Sequence, residues 1–97
     1  MISGIISQDI LKYLVKKGFS IKNISTNFSI PENEIKLILK GKGVLSPNEI
    51  KLISKILNLK IIHILSEACD TSHLTGKLKK NVEFYKEIKK YKKKKKD

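Results

Sequence analysis

From Asp9 to Lys17 the apolar residues Ile10, Leu11, Tyr13, Leu14 and Val15 cover a broad helical face. A first helix is predicted there, with Ser7 as its N-cap and Gly18 as its stop. Ser20 then caps a shorter segment in which Ile21, Ile24 and Phe28 recur at three and four residues, the period of a buried helix face. A second helix is expected over about Ile21 to Phe28. Ser29 and Ile30 lead to Pro31, followed by Glu32 and Glu34. The fixed proline φ and the acids facing the helix dipole favour a new N-terminus. The third helix turns Ile35, Ile38 and Leu39 inward and ends at Gly41. Ser46-Pro47-Asn48-Glu49 is a capping box with proline at the first helical position. It opens a fourth helix that buries Ile50, Ile53, Ile56 and Leu57 and stops near Asn58, a residue that tolerates the left-handed conformation. The fifth helix runs from Lys60 to about Cys69 with Ile61, Ile64 and Leu65 inward.

Beyond Cys69 the pattern changes. Residues 70–77 read as a polar linker, after which Leu78, Val82, Tyr85 and Ile88 recur at helical spacing, so a sixth helix from about Leu78 to Tyr91 is expected. Leu74 extends this stripe at its start. The stripe either docks on the preceding helices or pairs with a second subunit. Lys92 to Asp97 is expected to be disordered. No strand pattern and no repeat of solenoid length occurs. The reading is an all-α domain over residues 1–69, a linker over 70–77, and a basic C-terminal helix with a Lys tail over 78–97.

Charge alters this picture more than size does. The chain carries 21 basic residues, all lysine, against nine acids, a formal net charge of +12. Residues 1–70 hold ten lysines and six acids, whereas 71–97 hold eleven lysines and three acids, so the C-terminal part supplies most of the field. Such a balance attracts polyanions, of which nucleic-acid phosphate is the commonest in cytoplasm. A lysine-only basic set rich in Ile and Asn also fits an AT-biased coding sequence. The 97 residues supply one modest core and no large catalytic cleft. No apolar run is long enough to span a membrane and no signal-peptide pattern opens the chain, so a cytoplasmic protein is expected. The lone Cys69 fits a reducing compartment.

The stretch from Ser20 to Lys42 resembles the lambda-repressor-like (XRE, Cro-type) helix-turn-helix family. Ser20 stands at the family's cap, Ile24 and Phe28 at the core positions of its second helix, and Ile30 at the turn. Ile35 and Ile38 stand at the third-helix core positions, and Gly41-Lys42 at the close. The likeness runs on to Ile56-Leu57-Asn58-Leu59 and covers about residues 9 to 66. Ser29 replaces the family's usual turn glycine, and Ser25 its usual alanine. Leu14 and Leu39 stand where many members pair Arg with Glu, an exchange of ions for apolar residues that is often neutral or stabilising.

The resemblance implies a five-helix DNA-binding domain whose third helix enters the major groove. It assigns base reading to Glu32, Asn33, Lys36 and Leu37. Asn33 suits an adenine edge, Lys36 a guanine or a phosphate, and Leu37 a thymine methyl. Glu32 can accept from cytosine but repels phosphate. Ser20, Lys22, Lys40 and Lys42 are the phosphate candidates. Ile21 stands where members often carry a polar phosphate-binding residue.

The expected function is therefore a sequence-specific regulator of transcription, a repressor-like protein that binds double-stranded DNA as a homodimer. The alternative is an antitoxin-like or accessory module that uses the same fold to hold a protein partner, a reading favoured by Glu32, Ile21 and Leu37 on the presumed DNA face. RNA binding through the lysines lacks an aromatic platform. His63, Cys69, Asp70 and His73 are the only grouped metal-type side chains, and their spacing fits no standard zinc pattern. No metal or cofactor is expected. No phosphate-cradling glycine loop, nucleophile elbow or paired desolvated carboxylates point to an enzyme.

Overall fold

The computed structural model describes residues 3–95, with side chains described through residue 91. Six α-helices follow one another: Gly4–Lys16 (α1), Ile21–Phe28 (α2), Glu32–Leu39 (α3), Pro47–Leu57 (α4), Ile61–Ala68 (α5) and Gly76–Lys95 (α6). A 3-10 turn, Thr71–His73, precedes α6, and there is no strand among the described residues. The protein is all-α.

Each start and stop has a local cause. Ser20 and Ser46 both form capping boxes, with Asn23 and Glu49 as the reciprocal partners, and Pro47 occupies the first turn of α4. These satisfy amides that the helix itself leaves unpaired. At the other ends the chain turns left-handed, at Gly18 (φ 106°), Ser29 (φ 55°), Gly41 (φ 78°) and Asn58 (φ 54°). Gly41 closes α3 as a Schellman motif: its N–H donates to the Ile38 carbonyl at 2.9 Å and the Lys42 N–H to the Leu37 carbonyl at 2.8 Å.

The core is one cluster drawn from every helix. Leu11, Leu14, Ile24, Phe28, Ile35, Ile38, Ile64, Leu65 and Val82 have no exposed surface. Full burial of such a side chain is worth roughly 1.5–3 kcal/mol. α1 packs on α3 and α5, α2 on α3 and α4, and α5 on α4 and α6. Phe19, in the turn between α1 and α2, tilts against Phe28 with ring centroids 5.4 Å apart.

Several sequence expectations are corrected. Helix α1 begins at Gly4, capped by Ser3, whose Oγ accepts from the Ile6 N–H at 3.3 Å. Ser7 is not the cap. It lies inside α1, fully buried, and its Oγ accepts from the Leu45 N–H at 2.9 Å, pinning the α3–α4 loop onto α1. Val15 and Ile56, expected inward, are 45% and 46% exposed. Residues 70–77 do not form a plain polar linker. They contain the 3-10 turn, and Leu74 within them is buried in the core together with Val82 of α6. The stripe from Leu74 through Leu78 and Val82 therefore docks on the preceding helices. Helix α6 runs on to Lys95, through part of the segment expected to be disordered. The rest of that expectation, at Lys96 and Asp97, lies outside the described residues.

Candidate nucleic-acid interface

Helix α3 has two faces with opposite characters. Ile35 and Ile38 are fully buried, whereas Glu32, Asn33, Lys36, Leu37 and Lys40 are all exposed. Asn33, Lys36, Leu37 and Lys40 follow the i, i+3, i+4, i+7 spacing that brings side chains into one stripe on a helix. Two lysines, an amide and a leucine thus stand together on an open face, with Glu32 at its N-terminal margin. Leu37 keeps 48% of its surface exposed, an apolar contact point on an otherwise polar stripe. Lys42 follows at the C-terminal end, held by the Schellman closure, and its side chain is exposed.

What holds this face rigid is the join to α2. Ser29, Ile30 and Pro31 are the only residues between the two helices. Ser29 reverses the chain in the left-handed region, Ile30 is buried, and Pro31 enters α3 at φ −57°. Pro31 is the residue before the first helical turn and offers no side-chain cap, so Glu32 and Glu34 in that turn carry the compensation of the helix dipole. From α1, the Gln8 side-chain amide donates to the Leu39 carbonyl at 2.7 Å. That contact and the buried Ser7–Leu45 bond hold the end of α3 and the loop after it. Gln8 was not singled out from sequence, and Ser7 was read there only as a helix cap. The available signal for Ser7 is a small polar residue within the apolar stripe of Ile6, Ile10, Leu11 and Leu14.

The remaining two candidates, Ser20 and Lys22, belong to the start of α2. Lys22 is exposed. Ser20 has its hydroxyl committed: Oγ donates to Asn23 Oδ1 at 2.8 Å and accepts from the Asn23 N–H at 3.1 Å. Its role is to cap α2, and it offers an anion no free hydroxyl proton. Ile21 is half-buried and packed against the core. There is no acid in the first turn of α2, so the positive end of its dipole is uncompensated, in contrast to α3.

One electrostatic feature borders α3. The carboxyl of Glu34 is held above its ordinary range, first by a hydrogen bond with Glu49 at the start of α4, then by burial and by the Glu49 charge. This pair lies off the exposed stripe.

The four metal-type residues are not brought together as ligands. His63 Nε2 lies 3.1 Å from Glu67 Oε2, and its ring tilts against Tyr85 at 5.3 Å. Asp70 caps the 3-10 turn by accepting from the Ser72 N–H at 3.0 Å, which lowers its pKa. His73 Nδ1 lies 2.7 Å from Asp9 Oδ2 and joins that turn to α1. Cys69 is buried. Burial, with the adjacent Asp9 carboxylate adding to it, pushes its thiol up to about 12, so it stays protonated and unreactive. Among the described residues no group of three or more His, Cys, Asp or Glu is placed to hold a metal ion, and no helix is long and apolar enough to cross a membrane.

Comparison with known proteins finds no matching family model, no matching curated protein and no matching solved structure.

Proposed function

We propose that this protein is a sequence-specific, double-stranded DNA-binding regulator of transcription acting in the cytoplasm. In this reading α1 to α5 form a five-helix lambda-repressor-like domain, α2 and α3 are its helix-turn-helix, and the Lys-rich α6 is an addition. Two copies bind together, so that two α3 helices read half-sites about one turn of duplex apart. The observation that carries the proposal is the exposed stripe Asn33, Lys36, Leu37 and Lys40 on a helix whose opposite face is locked into the core. A rigid helix with short polar and cationic side chains on its outer face fits the major groove, where Asn reads adenine, Lys reads guanine, and Leu touches a thymine methyl. Lys22, Lys40 and Lys42 contact phosphate, and the positive end of α2 adds to them.

The test is selection from a random duplex pool followed by titration of the enriched sequence. Enrichment of a short two-fold site is expected. Asn33→Ala with Lys36→Ala should reduce its discrimination over scrambled duplex by about 1–3 kcal/mol per lost base contact. Affinity should fall with salt at a slope of about −3 per copy, as three lysine–phosphate contacts require. No enrichment, or discrimination indifferent to the double substitution, would overturn the proposal. Exposed Leu37 and acidic Glu32 favour a second reading, a protein-binding use of the same face. It predicts a partner whose binding is lost in Leu37→Glu while duplex selection fails.

A further inference from the structure

Away from α3, the structure leaves a second open surface along α6. Phe84 and Tyr91 are 67% and 71% exposed, and Ile88 is 37% exposed. With Asn81 they follow the 3-4-3 spacing of a helix seam. No lysine interrupts the stripe between Asn81 and Tyr91. Lys86, Lys89 and Lys90 lie on another side of α6, where they line a small hollow with Ser66, and Lys89 is paired with Glu67 at 3.5 Å. Beside the ridge run two apolar grooves. One, of about 520 Å³, is walled by Leu59, Ile62 and His63 opposite Phe84 and Ile88. The other, of about 800 Å³, is walled by Val44, Ile50, Ile61 and Leu78. Asn81 borders both.

We propose that this ridge and its grooves are the surface through which two copies of the chain pair, the Phe84–Ile88–Tyr91 ridge of each seated in the groove of the other. The inference supplies the pairing face for the two-copy reading above and rests on that reading for its role, although its test needs no DNA. The occupant follows from the shape: a two-fold interface needs a patch complementary to itself, and here ridge and groove share one patch. The groove walls also carry Asn58 and Lys60 in one and Lys51 and Lys77 in the other, and among the four ridge positions Asn81 alone is polar. Such a residue fixes register at some cost in stability. The area also suffices. The exposed parts of two aromatics, at roughly 150–250 Å² per fully buried ring, with Ile88 and a matching area of groove wall, approach the roughly 800 Å² per partner of a specific interface.

Each copy carries a formal charge of +12, so the pair repels itself at long range, and added salt should tighten it. DNA binding responds to salt in the opposite direction. The experiment is sedimentation equilibrium of the full chain from micromolar to millimolar, at low and high salt. A dimer that strengthens with salt is expected. Phe84→Ala with Tyr91→Ala should weaken it by at least about 100-fold, because each copy loses both aromatic anchors of its ridge, while the helical circular dichroism and Tm stay as in the parent. Leu37→Glu, on α3 and outside the ridge and both grooves, should leave the dimer unchanged. A parent chain that remains a monomer at both salts, or a double variant that still dimerises, would overturn the inference. Monomers that still select a duplex would remove this inference and leave the DNA reading standing. Dimers that select none would do the reverse.

Discussion

Ser7 and Ser29 are both serines in unusual places, and each carries a definite energetic consequence. The Ser7 hydroxyl is the partner of a buried amide, that of Leu45. Removing it leaves that donor unsatisfied, so Ser7→Ala should destabilise the protein by about 1–3 kcal/mol in a denaturant titration. Loss within a few tenths of a kcal/mol would mean that the loop finds another partner. Ser29 sits at φ 55°, where a side chain with a Cβ costs roughly 1–2 kcal/mol. Ser29→Gly should therefore raise stability by about 1 kcal/mol and raise Tm, whereas Asn58→Gly, at a residue that tolerates the same conformation, should gain less. The turn between α2 and α3 was legible in the sequence because Phe28, Ile30 and Pro31 bracket it. Ser7 was misread as a cap because a serine before an apolar run is the ordinary start signal, and its true partner lies 38 residues away.

At the scale of elements, α1 to α5 follow from sequence because caps, prolines and three-four spacing agree in each. Helix α6 was expected from about Leu78 to Tyr91, within the observed Gly76–Lys95, but its attachment was left open between docking and pairing. A polar composition over residues 70–77 concealed that one residue, Leu74, is buried in the core, and the short-range pattern does not show where a helix docks. Truncation after Cys69 removes Leu74 and Val82 from the core and should cost several kcal/mol, at roughly 1.5–3 kcal/mol for each large apolar side chain. The truncated chain should show broadened or absent thermal unfolding. Glu67 ties this end together, facing Lys89, Lys17 and His63 and accepting from the Tyr13 hydroxyl at 3.3 Å. Burial raises its pKa, but the Lys89, Lys17 and His63 charges outweigh it and hold the carboxyl below its ordinary range. A carboxylate with a lowered folded pKa contributes stability above its unfolded pKa and loses it as pH falls through the folded one. Glu67→Gln should thus lower stability near neutral pH by less than about 1 kcal/mol, because the site is partly solvated. The difference should vanish in acid and shrink with salt. Glu34, with its pKa raised by Glu49, works in the opposite sense and gains on acidification.

For the whole molecule, two exposed faces differ in character: the polar stripe of α3 and the apolar ridge of α6. The first was visible in sequence because it alternates with Ile35 and Ile38 and follows a turn. The second was visible only in part: the stripe through Leu78, Val82, Tyr85 and Ile88 was recognised, whereas Phe84 was not named and Tyr91 entered only as the end of the helix. Their exposure depends on which side of α6 packs on α5, and that is a property of the assembled fold. The account's central claim is that α3 reads DNA sequence, as distinct from a lysine-rich chain adhering to any polyanion. The most direct measurement is a salt-dependent competition between a selected duplex and its scrambled counterpart. It compares the parent chain, Asn33→Ala with Lys36→Ala, and Lys89→Gln with Lys90→Gln. The account predicts that the α3 pair loses discrimination while the α6 lysine pair keeps it and lowers affinity for both duplexes alike. Equal binding of both duplexes by the parent, with only the α6 substitutions weakening it, would contradict the claim.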